Sequence, residues 1–446
     1  MDQVTGVTVS RLELNIFDRE FFRDFIQTYT YPRVVTAVPK QKSHYAIKAA
    51  YEFFAAKIVE GWDKAGGGAK GFEWLGHVSV ILRQHVALIS AIATNEKSAA
   101  SIFTTLNDRG IGLSSVDLVR SYILQQADET QRQEILDCWE TVFVSCGRDT
   151  GAETFMRMSW VSDHGDIKSR ALYKVITEEL DNKDKAQRAL DYSRRLKSDA
   201  LLYRRMRDGE TDDPDLESFW LSLKPLKFQA GYPLFIAAAN RLALDEHRLL
   251  GQAVRALVFR HNIICGLERS VIESTAFTCA KMISDGTSIT DVITALRAIS
   301  PSETVFNEKF SVLKFSVREH PVVRYLLELM DDEIATTAEV DVADASRVHV
   351  EHIYPQEPKP EDRWKEHSTY IYRLGNLTLL DKKLNTQIKN SAFPIKKPYY
   401  EKSRLFVTKE LLKYDDWSPK HVEERQAELL QLATKMWPES LVVLKA

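Results

Sequence analysis

From about residue 11 to 330, apolar residues recur at i, i+3, i+4 and i+7, the spacing that lays one stripe along an α-helix. Residues 45–62 show it plainly, with Ile47, Tyr51, Phe54, Ile58 and Val59 on one face. The period predicts helices at 99–106, 115–127, 131–144, 167–180, 185–207, 235–244, 248–259, 272–283, 289–299 and 322–330. Ser114-Ser115 caps the second of these, and Thr290-Asp291 lies in the first turn of the ninth. No segment repeats at a fixed period. Two pieces break the pattern. The apolar run at 86–92 reads as a strand. The glycine-rich 65–71 follows a helix and lacks a GK[ST] ending, so it reads as a surface turn rather than a phosphate cradle.

A 446-residue chain with 44% hydrophobic residues is globular and long enough for two or three domains. Its 60 Lys+Arg against 63 Asp+Glu give a net charge of −3, which argues against nucleic-acid binding by bulk charge. Any such surface must be local. Cys138, Cys146, Cys265 and Cys279 lie far apart, as in the core of a reduced protein. No apolar run approaches the roughly 20 residues that span a bilayer. The expected location is cytoplasmic, with no membrane partner.

Asp331-Asp332-Glu333 opens an acidic stretch without apolar period that ends at Ser346, a natural boundary. After it come short β-like runs at 347–353 and 377–380. Between Asp381 and Lys413, eight Lys and one Arg face one Asp and two Glu, a local +6. The expected architecture is mainly α: a large α-helical region, 1–335, followed by a small α+β domain, 336–446.

Within that last domain His349, Glu351 and His352 stand together in RVHVEHIYPQ; Asn376 follows His352 by 24 residues and Asn385 comes nine later. A carboxylate and an amide oxygen suit one Mg2+ or Mn2+ ion. An imidazole can take a proton from attacking water. Together these are the parts of one-metal phosphodiester hydrolysis.

The order E-H-I-x-P, then L-G-N-L-T-L-L, then K-K-L-N resembles the HNH, or ββα-metal, nuclease motif. The resemblance implies that His352 is the general base, that Glu351 and Asn385 are metal ligands, and that Asn376 completes the catalytic set by holding the loop that positions the base. His349 takes a secondary place. Further along, N-S-A-F, Lys396-Lys397, Tyr399-Tyr400 and W-S-P-K-H-V-E-E-R are similar to the nuclease domain of GmrSD-type restriction systems. KSHYAIKAAYEFF and IFTTLNDRGIGLSSVDLVRSYIL are similar to parts of the GmrS-type domain. The resemblance implies cleavage of modified DNA in anti-phage defence. The family's D-G-Q-Q-R nucleotide motif is absent, and D-E-T-Q-R at 128–132 is a solvated helix face. Nucleotide binding by this chain alone is therefore doubtful, and either a second chain carries the motif or the chain is shortened.

Asn107, Asp108, Arg109 and Gly110 have two readings, a switch that meets phosphate or a helix end with Gly110 at the C-cap; the second is favoured. Lys382, Lys383, Lys389, Lys396 and Lys397, interleaved with Phe393, Tyr399, Tyr400 and Phe406, read as a DNA-backbone patch. Trp364, Trp417 and Trp437 read as packing. The expected function is a metal-dependent HNH DNA endonuclease. The alternatives are a non-catalytic DNA-binding or adaptor subunit and an RNA-cleaving toxin.

Overall fold

The computed structural model describes residues 14, 18–28, 37–40, 42–86, 115–147, 150–335 and 348–442. Among them the chain is 73% helical, with 20 helices and one small two-stranded sheet, the mainly α architecture with a small α+β part that the periodicity implied. It divides into two compact units, Met1–Ile102 and Phe103–Ala446.

The first unit holds α1 (Arg19–Phe22), α2 (Lys42–Lys64) and α3 (Gly68–Gln84). Residues 65–67 make the tight turn between α2 and α3. Gly66 and Gly67 adopt φ of +99° and +64°, which side-chain-bearing residues avoid. The glycines thus serve a helix hairpin. Of the strand expected at 86–92 only residue 86 is described; the helix expected at 99–106 and Asn107–Gly110 lie outside the described residues.

The second unit continues with α4 (Ser115–Gln126), α5 (Arg132–Cys146), α6 (Thr150–His164), α7 (Leu172–Leu180), α8 (Lys185–Asp208), α9 (Pro214–Ser222), α10 (Tyr232–Arg241), α11 (Leu244–Val258), α12 (Arg269–Ser284), α13 (Ile289–Arg297), α14 (Glu303–Ser311) and α15 (His320–Ala335). Three of these escaped the periodicity. In α6, Phe155, Met156, Trp160 and Val161 are all buried, so no single apolar stripe stands out. Helices α9 and α14 are only nine residues long and declare themselves through caps: Asp213 accepts from Leu216 N–H and Ser302 from Val305 N–H. Ser288, not Thr290-Asp291, caps α13. Asp331, expected to open a linker, is instead buried in the last turns of α15, where it accepts from Val407 N–H at 2.7 Å.

The sheet pairs β1 (Val348–His352) antiparallel with β2 (Leu377–Asp381), in the register Val350 opposite Leu379 and His352 opposite Leu377. Around and after it run α16 (His367–Tyr370), α17 (Lys382–Ile388), α18 (Phe393–Glu401), α19 (Phe406–Lys409) and α20 (Pro419–Met436). Side chains alternate along a strand, and here each face meets a different core. Val348, Leu377 and Leu379 join a cluster that reaches back through α15 to Met158 and forward to Leu441. Leu380 joins a second cluster with Ile353, Ile388, Phe393, Tyr400 and Trp417. The boundary expected at 335/336 falls inside the second unit, whose larger core spans it. Arg260, fully buried, illustrates the continuity: its guanidinium donates to the carbonyls of Pro301 and Trp437 at 2.8 and 2.9 Å.

Candidate active site

Strand β1 leads into a loop held from four directions. The side chain of Asn376, wholly buried just before β2, accepts from Tyr354 N–H at 2.8 Å and from the Trp417 indole at 3.0 Å. Its amide donates to the carbonyls of Tyr354 and Ile371 at 3.1 and 3.2 Å. The turn at residues 374–376 is itself clamped by α20. Gln426 accepts from Gly375 N–H at 2.6 Å, and buried Arg425 donates to the Gly375 and Leu377 carbonyls at 2.9 and 2.7 Å. Gly375 is required here, because a Cβ would sit 2.2 Å from the Val422 carbonyl oxygen.

His352 ends β1, 7% exposed, on the face toward α15. Its ring lies 5.8 Å from that of His320, the first residue of α15, and 5.9 Å from that of Tyr372. Gln356 Nε2 stands 3.3 Å from His352 Nε2. An amide N–H can only donate, so this imidazole nitrogen is the acceptor and its lone pair faces the exposed Gln356. Burial, with the charges of His320 and Lys396 adding to it, pushes the His352 pKa down to about 3. The ring is therefore neutral.

Glu351 points to the opposite face. There it is 5% exposed, and its Oε1 accepts from Lys396 at 2.5 Å and from the Tyr400 hydroxyl at 3.3 Å. Lys396, 1% exposed, donates also to the His352 carbonyl at 2.6 Å. Burial raises the Glu351 pKa against the pull of Lys396 and lowers that of Lys396 against the pull of Glu351.

Glu351 and His352 are adjacent in sequence, but the strand's alternation separates their side chains. His349 shares the Glu351 face, at an exposed position opposite Leu380. Asn385 is half-buried on α17, and among the described residues no hydrogen bond joins its side chain to Glu351 or His352. As they stand, these residues do not fit a divalent ion. The carboxylate oxygen is taken, and a buried ammonium beside it would repel a cation. No cluster of three His, Cys, Asp or Glu side chains suited to an ion occurs among the described residues.

The basic patch needs correcting too. Lys382, Lys383 and Lys389 are exposed. Lys396, expected on the DNA backbone, is buried in the Glu351 pair and cannot reach a phosphate. Lys397 donates to the Tyr414 carbonyl at 2.6 Å and pairs with Asp415 at 3.2 Å. Phe393 and Tyr400 belong to the core rather than to a stacking surface. Trp417 and Trp437 are buried, and Trp364 stacks on Tyr354 at 3.6 Å. His320 and Gln426 carried no signal in the sequence, while Gln356, Tyr400 and Arg425 lay inside the quoted runs without the roles they have here; each gains its role from packing.

Among the described residues, no helix is long and apolar enough to cross a membrane. No curated protein matches the chain. Residues 300–432, a range that takes in α14, α15, both strands and most of α20, match the family model of the C-terminal domain of GmrSD restriction endonucleases, so the C-terminal region of this chain is similar to that domain.

Proposed function

We propose that this chain is an HNH-type endonuclease that hydrolyses DNA phosphodiesters, acting in anti-phage defence on modified DNA. The observation that carries the reading is the Asn376 lock. A two-stranded hairpin followed directly by α17 presents a neutral imidazole at the end of β1, and the loop after it is fixed by an asparagine, within a region that matches a restriction-endonuclease family. Such rigidity is what a general base needs to meet its proton in one geometry.

In this reading His352 Nε2 takes the proton of the attacking water when Gln356 swings aside. A bound phosphodiester brings negative charge beside the ring and raises its affinity for that proton. The exposed Lys382, Lys383 and Lys389 steer the backbone without reading sequence. The resemblance also implies Mg2+ or Mn2+. The Glu351–Lys396 pair does not fit such an ion. A second chain that handles nucleotide belongs to the same proposal.

The test is incubation of the protein with plasmid and with modified phage DNA, with and without Mg2+ or Mn2+. Wild type should cut and His352→Ala should not; equal cutting by both would sink the assignment. The occupied Glu351 carboxylate favours one second reading, a DNA-binding adaptor whose partner cuts. Binding without cleavage under every metal condition would support it. Degradation of tRNA beside intact DNA would redirect the proposal to RNA.

A further inference from the structure

Helix α15 places a second imidazole beside the proposed base. His320 and His352 are 32 residues apart in the chain. The packing of α15 on both strands brings their ring centroids to 5.8 Å, with the planes tilted by 47°. The approach to α15 is well fixed. Ser316 and Glu319 form a reciprocal capping box, with Ser316 N–H donating to the Glu319 carboxylate at 2.8 Å, so the chain enters the helix in one direction.

His320 is half-buried, and its Nε2 is buried with no hydrogen-bond partner. That nitrogen is thus left to pair with a group that enters beside His352. The ring centroids lie close enough for one phosphodiester and the water that attacks it to meet both imidazoles at once.

We infer that His320 is a second catalytic group of this centre, donating a hydrogen bond from its imidazole to a phosphoryl oxygen of the nucleic acid whose attacking water meets His352. The inference rests on the nuclease reading above and adds a residue to it. His320 stabilises charge that grows on the phosphoryl oxygens as the water attacks, so its effect falls on the rate rather than on binding. No proton changes hands at His320 in this step. Its neutral ring donates one N–H and keeps it.

Cleavage of plasmid DNA by His320→Ala and His320→Gln is measured against wild type, together with histidine ring 1H–15N spectra of the full chain titrated with a short DNA duplex. Removal of the imidazole should lower kcat about 100-fold, with KM changed less than about 2-fold and Tm nearly unchanged. The Gln variant, which still offers an N–H donor, should recover part of the loss. The duplex should shift the ring signals of both His320 and His352. Wild-type turnover by His320→Ala, a loss confined to KM, or movement of the His352 signals alone would each overturn the inference and leave the nuclease reading standing. If neither ring responds and wild type cuts no nucleic acid, both fall together.

Discussion

Lys396 and Glu351 form a buried ion pair at 2.5 Å, one partner on α18 and the other on β1. It ties the sheet to the helices that follow it. Lys396→Met would leave Glu351 buried without its cation and should cost about 3–5 kcal/mol. Glu351→Leu combined with Lys396→Met should recover most of that loss. Urea unfolding of the two single variants and the double variant measures the coupling.

The same pair bears on metal binding. If Glu351 keeps its present partners, Glu351→Gln should bind Mn2+ with an affinity within about 3-fold of wild type, since Gln offers Lys396 an acceptor of the same shape. Calorimetric titration of both proteins decides the point. A fall of tenfold or more in the variant would mean that the carboxylate turns from Lys396 onto the ion.

Asn376→Ala removes the acceptor for Tyr354 N–H and for the Trp417 indole, both buried. At about 1–3 kcal/mol for each donor left unsatisfied, the loss of stability should be about 2–6 kcal/mol. Cleavage should fall further than stability alone explains, because the loop after His352 loses its lock. Gly375→Ala offers a control that leaves every polar group in place yet forces the turn off the Val422 carbonyl. Its thermal unfolding should show a loss of at least about 1–3 kcal/mol.

His352 provides a pH signature. Its pKa is depressed from 6.5 to about 3, so between those values the unfolded chain binds a proton that the folded chain refuses. Stability from this residue is present above pH 6.5 and declines as pH falls toward 3. His352→Asn should flatten that part of the stability curve, as denaturant unfolding at a series of pH values would show. In the free enzyme, kcat/KM should show no ionisation of His352 between about pH 5 and 8.

Asp331 has the opposite sign. Burial raises its pKa from 3.8 to about 6, so the folded chain holds a proton more tightly than the unfolded one. Its contribution to stability is full below pH 3.8 and lost as pH rises to about 6. Asp331→Asn keeps an acceptor for Val407 N–H, and its stability relative to wild type should rise across that interval and then level off.

The sequence disclosed the two strands to within a residue or two and half of the described helices through their apolar stripe, because those signals are local. His352 and Asn376 were legible for the same reason, each lying in a short run whose order is distinctive. What stayed hidden depends on three-dimensional parity. A string of letters places Glu351 beside His352, whereas a strand turns the two side chains apart. Likewise Lys396 counts as one of eight lysines in a basic stretch until the fold shows that α18 buries it. His320 gave no hint because its neighbour in space lies on a strand 32 positions away.

The core that joins Met158 to Leu441 has a practical consequence for anyone wishing to isolate the C-terminal region. A fragment starting at residue 336 would strip α15 from the sheet and α14 from α20, expose Leu377 and Leu379, and leave Val407 N–H and Gln426 without the Asp331 and Phe310 oxygens they donate to. Such a piece should aggregate. The nuclease-like region is thus less a detachable cassette than a graft whose rootstock is the helical body itself.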